Sequence, residues 1–317
     1  MTVCVAAICD GDTILGATDN MITAGDIQFE PPALKMVNLT NSIVILTAGD
    51  STLHAEILDA VQAEVNLRLD LDPDEWLKVK EVAELYVETY NSTRQKAAER
   101  AILAPLGLTH ESFITRQAEM LPDFVRQIGT ELINFNAGDI EAIITGVDED
   151  GAHIWVAKNE DLRCYDRAGF AAIGSGEWHA KSSFMFSRHV RFGPLPQTLL
   201  LTYAAKKRAE VAPGVGGITD MFVVGPKLGS FTLIGSHILD RLEEIYRQIR
   251  QDEQQILYRA NEEVEQYVEE ILRAATPKEQ AALPEDGGGS SSADQKQLRD
   301  GSEEGEPEGE GGEPSTV

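Results

Sequence analysis

Residues 2–20, TVCVAAICDGDTILGATDN, decide the fold because they join two short apolar runs through a turn. The runs, residues 3–8 and 13–17, favour β-strands, and the letters CDGD between them favour a tight turn. We therefore predict a β-hairpin whose first strand begins at Thr2. Removal of Met1 would leave Thr2 with a free α-amine beside its own hydroxyl, which is either incidental or a catalytic arrangement.

The composition limits the classes of partner. The chain has 317 residues and a formal net charge of −26, from 53 acidic and 27 basic side chains. Such a charge repels phosphate groups, so we expect neither nucleic acid nor an anionic membrane as a partner. No apolar run reaches the ~18 residues of a membrane span, and no basic segment precedes an apolar start, so we expect a cytoplasmic protein.

Metal and cofactor binding are not indicated. The three cysteines and six histidines form no CxxC, HxH or HxxxH motif. We expect no metal and no cofactor. We also expect Cys4, inside the first strand, to behave as a small buried apolar residue.

Strand and helix patterns alternate along the chain. After the hairpin, β-type patterns occupy residues 35–39, 42–49, 140–148, 153–159, 170–176, 218–225 and 230–235. Helical patterns occupy residues 51–67, 76–103, 111–135, 177–189 and 198–211. Pro73 suits the break before the second helix, and Pro122 should kink or split the third. This order predicts an α+β protein with two sheets between helical layers.

These patterns divide the chain into three predicted regions. Residues 1–235 form the predicted main domain, with a helical insertion at about 110–135. Residues 236–276 form a long helix with apolar steps of three, four and seven, which packs either on its own domain or on a partner. Residues 277–317, with GGGSSS and EEGEPEGEGGEP, cannot order themselves and form a disordered tail, either solubilising or docking.

The chemistry of an N-terminal threonine points to hydrolysis. Its hydroxyl needs a base, and the free α-amine, which titrates near ~8 in model compounds, supplies one. A neighbouring lysine and aspartate would favour the neutral amine and stabilise the alkoxide. Asp19 ends the second strand, Lys35 opens the next pair, and the TAG turn ending at Gly49 offers a backbone N–H to an oxyanion.

These motifs occur in an order that resembles a known family. Thr2, TDNMITAGD with Asp19, LKMVNL with Lys35 and TAGD with Gly49 are similar to the proteasome β subunits and their bacterial proteasome-related relatives. The segments IGSG, at residues 173–176, and GGITDMFVV are also similar. The resemblance covers about residues 2–250.

The resemblance implies a four-layer αββα N-terminal-nucleophile hydrolase fold and a threonine-type endopeptidase. It assigns Thr2 as the nucleophile with its own amine as base. It makes Lys35 the residue that lowers the nucleophile's pKa, Asp19 the partner of Lys35, Gly49 N–H the oxyanion donor and Ser175 an accessory group near the amine. Ser175 alone would equally suit a cap of the following helix.

The resemblance also implies how substrate is bound. Thr23 and Gly49 would pair with the backbone of a peptide or unfolded protein as an added strand, and Thr47 would line a side-chain pocket. The expected assembly is a homo-oligomeric ring, with an ATP-dependent unfoldase as partner for folded substrates. Glu210 is a loose substitute for a family aspartate, and Asp220 either orients the site or caps a strand turn.

Two other functions remain open at this stage. The chain could be a catalytically inactive, structural proteasome-like subunit whose Thr2 is blocked or misplaced. It could instead be a small-molecule amidohydrolase on the same fold.

Overall fold

The computed structural model of the chain describes four stretches, residues 2–24, 27–30, 35–72 and 76–275. Pro73, Gly25 of the TDNMITAGD segment and the predicted tail at 277–317 lie outside these stretches. The described residues form a mixed α/β structure with two five-stranded antiparallel sheets and a long C-terminal helix.

The predicted N-terminal hairpin is confirmed. Strand β1 (Cys4–Cys9) pairs antiparallel with β2 (Thr13–Asp19), with Cys4 opposite Thr18. Every residue of both strands is buried because one face of the hairpin contacts the second sheet and the other contacts helices. Burial on both faces explains why the sequence shows continuous apolar runs rather than alternation.

The other strands of the described stretches are β3 (Ile22–Ala24), β4 (Ile27–Phe29), β5 (Met36–Thr40), β6 (Ile43–Gly49), β7 (Ile140–Asp148), β8 (Gly151–Lys158), β9 (Asp161–Cys164), β10 (Phe170–Ile173), β11 (Thr219–Val224) and β12 (Phe231–Leu233). The first sheet has the order β10-β1-β2-β11-β12, and the second has the order β5-β6-β7-β8-β9. Strands β3 and β4 form a separate two-stranded ribbon.

Seven α-helices lie within the described stretches. They are α1 (Ser51–Leu71), α2 (Val79–Ala98), α3 (His110–Arg116), α4 (Pro122–Ile133), α5 (Glu177–Phe186), α6 (Leu195–Ala209) and α7 (Ser236–Ala275). The Asp50 side chain caps α1 by accepting hydrogen bonds from Thr52 N and Leu53 N. None of these helices combines the length and the apolarity needed to cross a bilayer.

Several predicted boundaries were wrong. The helix expected over 76–103 begins only at Val79, whose N–H donates to the Asp148 carboxylate, and it ends in a π-helical turn over Glu99–Leu103. The predicted split at Pro122 is confirmed, because Pro122 opens α4 at a position that needs no N–H donor. Strands β3, β4 and β9 were missed.

Three apolar clusters hold the sheets and the helices that cover them together. The central cluster lies between the sheets, where residues of β1 and β2 meet residues of β6, β7 and β8. A second cluster packs α1 and α2 on the outer face of the second sheet. A third packs α5 and α6 on the outer face of the first sheet. The N-terminal hairpin is therefore fixed from both sides.

The chain divides into two compact units with the boundary after Ile256, within α7. In the first unit, the start of α7 packs on its own domain through Leu242, which contacts a small cluster with Tyr203 and Met221. Tyr203 Oη also donates to Glu243 Oε2 at 2.6 Å. The described part of the second unit is the exposed helix up to Ala275. The domain boundaries at 235 and 276 remain predictions.

A glycine in β2 gives a test of the packing between strands. Gly16 pairs with Phe222 of β11, and a Cβ on Gly16 would lie 2.1 Å from the Phe222 ring. We expect Gly16→Ala to lower the free energy of unfolding by about 1–3 kcal/mol because the buried ring must move. Urea unfolding measures this change, and Phe222→Leu in the same chain should recover part of the loss.

The matched control for this test is Gly129→Ala in α4, where an added Cβ meets nothing within 4 Å. This change should raise stability by about 0.5–1 kcal/mol, since alanine is the better helix former. Equal effects of the two alanine substitutions would contradict the close packing of Phe222 on Gly16.

Candidate active site

The buried carboxylate of Asp19, at the end of β2, is the centre of a polar cluster. Asp19 is fully buried. Its Oδ1 accepts hydrogen bonds from Val3 N at 2.8 Å and Lys35 Nζ at 3.0 Å. Its Oδ2 accepts from Met21 N at 3.0 Å and Gly216 N at 2.9 Å. The charge is compensated by one cation and three backbone donors, as a buried carboxylate requires.

The hydroxyl of Thr2 lies between a carboxylate and an ammonium group. Thr2 Oγ1 donates to Asp19 Oδ1 and accepts from Lys35 Nζ. The position follows from the hairpin, because Thr2 lies two residues before Cys4, where β1 begins, while Asp19 ends the paired strand β2. An ammonium group in this contact stabilises an alkoxide at Oγ1.

The backbone of Thr2 is held by the loop after β10. Thr2 N donates to Ser175 Oγ at 3.2 Å, and Gly176 N donates to Thr2 O at 3.2 Å. Ser175 Oγ also lies 3.2 Å from Pro213 O. No side chain caps α5, whose N-cap residue is Gly176. Of the two roles considered for Ser175, only contact with the Thr2 nitrogen is seen.

The end of β6 lies beside Lys35. Thr47 N donates to Lys35 O at 3.0 Å, and Cys4 Sγ contacts Thr47 O at 3.3 Å. Gly49 ends the strand, is exposed and has a φ of 111°. A Cβ at Gly49 would lie 2.2 Å from Asp139 O, so only glycine fits here. The expected burial of Cys4 is confirmed, and burial raises the pKa of its thiol.

The described contacts of three other candidates are with residues other than Thr2. Thr23 lies in β3, where its backbone pairs with Gln28, and its side chain is outside the described part of the structure. Asp220 lies in β11 opposite Thr18. The Glu210 carboxylate is bound by Lys206 at 2.7 Å and by Lys207. The Glu210 carboxylate thus pairs with these two lysines, and its role as a substitute for the family aspartate stays a prediction.

Lys206 is a buried cation that the sequence reasoning missed. Its Nζ donates to Gly216 O at 2.8 Å and Gly217 O at 3.1 Å, besides its bond to Glu210. Burial lowers the pKa of Lys206, and the neighbouring Glu210 opposes that shift. Lys206 thus holds the segment whose Gly216 N–H binds Asp19. In the sequence, Lys206 is the first of three consecutive basic residues, and nothing local marks it as buried.

Glu141 of β7 was also missed, and it holds the IGSG loop. Its Oε2 accepts from Gly174 N at 2.7 Å, and its Oε1 lies 2.6 Å from Lys158 Nζ. The continuous apolar run of β7 gave no signal for this contact. Within the described stretches, no group of three histidine, cysteine or acidic side chains is placed to hold a metal ion.

Gly174 allows a test of how closely the loop approaches Thr2. It has a φ of 87°, and a Cβ on it would lie 2.4 Å from Thr2 O. We expect Gly174→Ala to reduce stability by about 2–5 kcal/mol, because backbone strain adds to this clash. Chemical denaturation measures the loss.

Gly107→Ala is the matched control, since Gly107 has a φ of 71° but nothing within 4 Å of an added Cβ. It should lower the free energy of unfolding by about 1–2 kcal/mol, which is the cost of the backbone strain alone. A Gly174 variant no less stable than the Gly107 variant would contradict the close contact with Thr2.

Comparison with known proteins adds no family assignment. No protein family model matches the chain, and the search of curated proteins found no match. Inference about function therefore rests on the geometry of these residues and on the motifs that carry the resemblance.

Proposed function

We propose that the chain is a threonine peptidase that hydrolyses peptide bonds through an acyl-enzyme on Thr2, once the peptide bond before Thr2 has been cleaved. The observation that carries the proposal is the contact of Thr2 Oγ1 with both Asp19 and Lys35. These two residues are far from each other in sequence, yet both reach one hydroxyl. A threonine with a purely structural role needs no cation at its oxygen.

The packing of the layers supports the same proposal. Two antiparallel sheets face each other across one apolar cluster, and helices cover both outer faces. We propose that this is the four-layer αββα sandwich of the N-terminal-nucleophile hydrolases. In that arrangement the short segment before β1, which carries Thr2, reaches the edge of the central layers, and that position suits a nucleophile.

The first half of the reaction forms an ester. Thr2 Oγ1 adds to the scissile carbonyl carbon while its proton passes to the neutral α-amine of the same residue. Lys35 Nζ stabilises the developing charge on Oγ1, and Asp19 holds Lys35 in place. The N–H of Gly49 donates to the oxyanion of the tetrahedral intermediate. The C–N bond then breaks, and the leaving amine takes the proton from the Thr2 ammonium group.

The second half releases the acid product. Water adds to the ester carbonyl carbon while the Thr2 amine accepts one of its protons. Collapse of this intermediate breaks the bond to Oγ1, which regains a proton. Ser175 Oγ, at 3.2 Å from Thr2 N, orients the amine in both halves. Thr2 is thus both nucleophile and base, and the surrounding groups position the reacting atoms and polarise the bonds that change.

Substrate binding and assembly complete the proposal. The exposed end of β6 at Gly49 and the β3 segment with Thr23 would hold an extended peptide as an added strand, with the half-buried Thr47 lining a pocket. Main-chain pairing gives broad specificity, so enclosure in a homo-oligomeric ring would protect other proteins from cleavage. An ATP-dependent unfoldase would deliver folded substrates to such a ring.

Replacement of the nucleophile tests the chemistry directly. Thr2→Ala should reduce cleavage of fluorogenic peptides by about a thousandfold or more, because no covalent step remains. Thr2→Ser is the matched control, since it keeps both the hydroxyl and the amine, and it should retain measurable turnover. The intact mass of each variant shows whether residue 2 is N-terminal in the purified protein.

Three outcomes would count against a peptidase. Equal cleavage by the alanine variant and the wild-type chain would exclude Thr2 as nucleophile. A free Thr2 that reacts with no threonine-directed epoxyketone would favour an inactive structural subunit. Hydrolysis of simple amides but not of peptides would favour a small-molecule amidohydrolase.

The role of Lys35 gives a separate prediction. Lys35→Met keeps the length of the side chain but removes its charge, so kcat should fall by about 10²–10³-fold. Lys78→Met is the control, because Lys78 forms an exposed ion pair with Asp150. Steady-state kinetics with one peptide substrate measures both. A Lys35 variant with wild-type kcat would remove the cation from the mechanism.

A further inference from the structure

A buried histidine lies behind the end of β6 and has no part in the mechanism above. His54 belongs to α1 and is 3% exposed. Its Nε2 lies 2.9 Å from Ala48 O, and its Nδ1 lies 2.7 Å from Tyr86 Oη. Tyr86 belongs to α2 and is fully buried. A chain of two hydrogen bonds therefore runs from α2 through α1 to the strand that carries Gly49.

The protons of this chain have one consistent assignment. A carbonyl oxygen only accepts, so His54 Nε2 must carry a proton and donate to Ala48 O. Burial lowers the pKa of His54, which keeps the ring neutral and leaves a lone pair on Nδ1. Tyr86 Oη then donates to Nδ1, and burial raises the pKa of Tyr86, which keeps that proton in place.

The accepting carbonyl belongs to the peptide unit of the proposed oxyanion donor. Ala48 C=O and Gly49 N–H are two ends of a single trans peptide, and they point in opposite directions. A hydrogen bond that fixes Ala48 O therefore also fixes the direction of Gly49 N–H. It polarises the peptide as well, so the N–H becomes a better donor.

The direction of the Gly49 N–H needs such a constraint. Gly49 is exposed, has a φ of 111° and ends its strand, and glycine restricts rotation of the neighbouring peptide least. Ala48, one residue earlier, is buried at 4% exposure beneath the site. His54 approaches from the helix layer packed on the second sheet, where α1 and α2 share one apolar cluster. The donor is thus anchored from the side away from substrate.

We propose that His54, held by Tyr86, is a positioning residue that sets the direction and strength of the Gly49 N–H as oxyanion donor. The inference rests on the proposed function, because it concerns a step of that reaction. His54 touches neither substrate nor Thr2. It acts through the Ala48–Gly49 peptide alone.

Substitution at His54 separates positioning from packing. His54→Phe fills the site without a donor, and it should lower kcat by about 10–100-fold with little change in KM, somewhat less than deletion of an oxyanion donor. His54→Gln offers an amide N–H toward Ala48 O, and it should recover most of the lost kcat. Equal kcat values for these two variants, or a change in KM alone, would overturn the proposal.

Substitution at Tyr86 tests the second bond of the chain. Tyr86→Phe removes the donor to Nδ1 and should lower kcat by a smaller factor than His54→Phe. The control is Tyr90→Phe in the same helix, a buried tyrosine in the same apolar cluster. It should leave kcat unchanged even if both changes lower the midpoint of thermal unfolding. Equal kcat losses in the two tyrosine variants would show a packing effect.

A measurement that does not depend on catalytic activity tests this inference separately from the proposed function. In the full chain labelled with ¹⁵N-histidine and ¹⁵N-glycine, NMR should show His54 protonated at Nε2 only, and Tyr86→Phe should shift the Gly49 amide signal. A wild-type chain that cleaves no peptide would overturn the proposed function, while these spectra would still decide the positioning. An Nδ1-protonated His54, or an unmoved Gly49 signal, would overturn the positioning role.

Discussion

The carboxylate of Asp19 is the interaction on which the rest of the site depends. It is fully buried and binds Val3 N at the start of β1, Met21 N after β2 and Gly216 N before β11. It also binds Lys35, which leads into β5 of the other sheet. One charge therefore joins four segments of chain. Since an unpaired buried carboxylate is unstable, these segments form the site together or not at all.

In the proposed mechanism the nucleophile is a short side chain and the oxyanion donor is a backbone N–H, and longer buried side chains orient the backbone around them. Asp19 and Lys206 bind the two sides of Gly216, at its N–H and at its carbonyl. His54 binds the carbonyl that precedes Gly49. Glu141 binds the N–H of Gly174, next to Ser175. In each case a buried or half-buried side chain fixes the direction of a backbone N–H or carbonyl group through a hydrogen bond.

Much of the fold follows from local sequence, and so do the principal candidates at the site. The apolar runs of β1, β2, β6 and β7 and the cap at Asp50 are visible without any structure. Strand β9 was missed because Asp161–Cys164 is mostly exposed at a sheet edge and carries no apolar alternation. Strands β3 and β4 have three residues each, too few for a periodic signal.

The supporting side chains could not be predicted from the sequence. His54 and Tyr86 lie 32 residues apart and occupy ordinary positions in two amphipathic helices. Lys206 is one of three basic residues in the last turn of α6, and only the packed structure shows that its side chain is fully buried. Such residues are defined by contacts across long loops, which leave no local pattern.

Two buried ion pairs meet at the segment that contains Gly216. Their contribution to stability explains their role in the site. The Asp19 and Lys35 pair and the Lys206 and Glu210 pair each combine a fully buried charge with a more accessible partner. A buried pair roughly balances the desolvation it requires, whereas loss of one partner costs about 3–5 kcal/mol. The pairs therefore contribute little net stability but strongly penalise any other arrangement. This penalty keeps the Thr2 hydroxyl in contact with both the Lys35 ammonium group and the Asp19 carboxylate. A gain in net stability alone would not fix that arrangement.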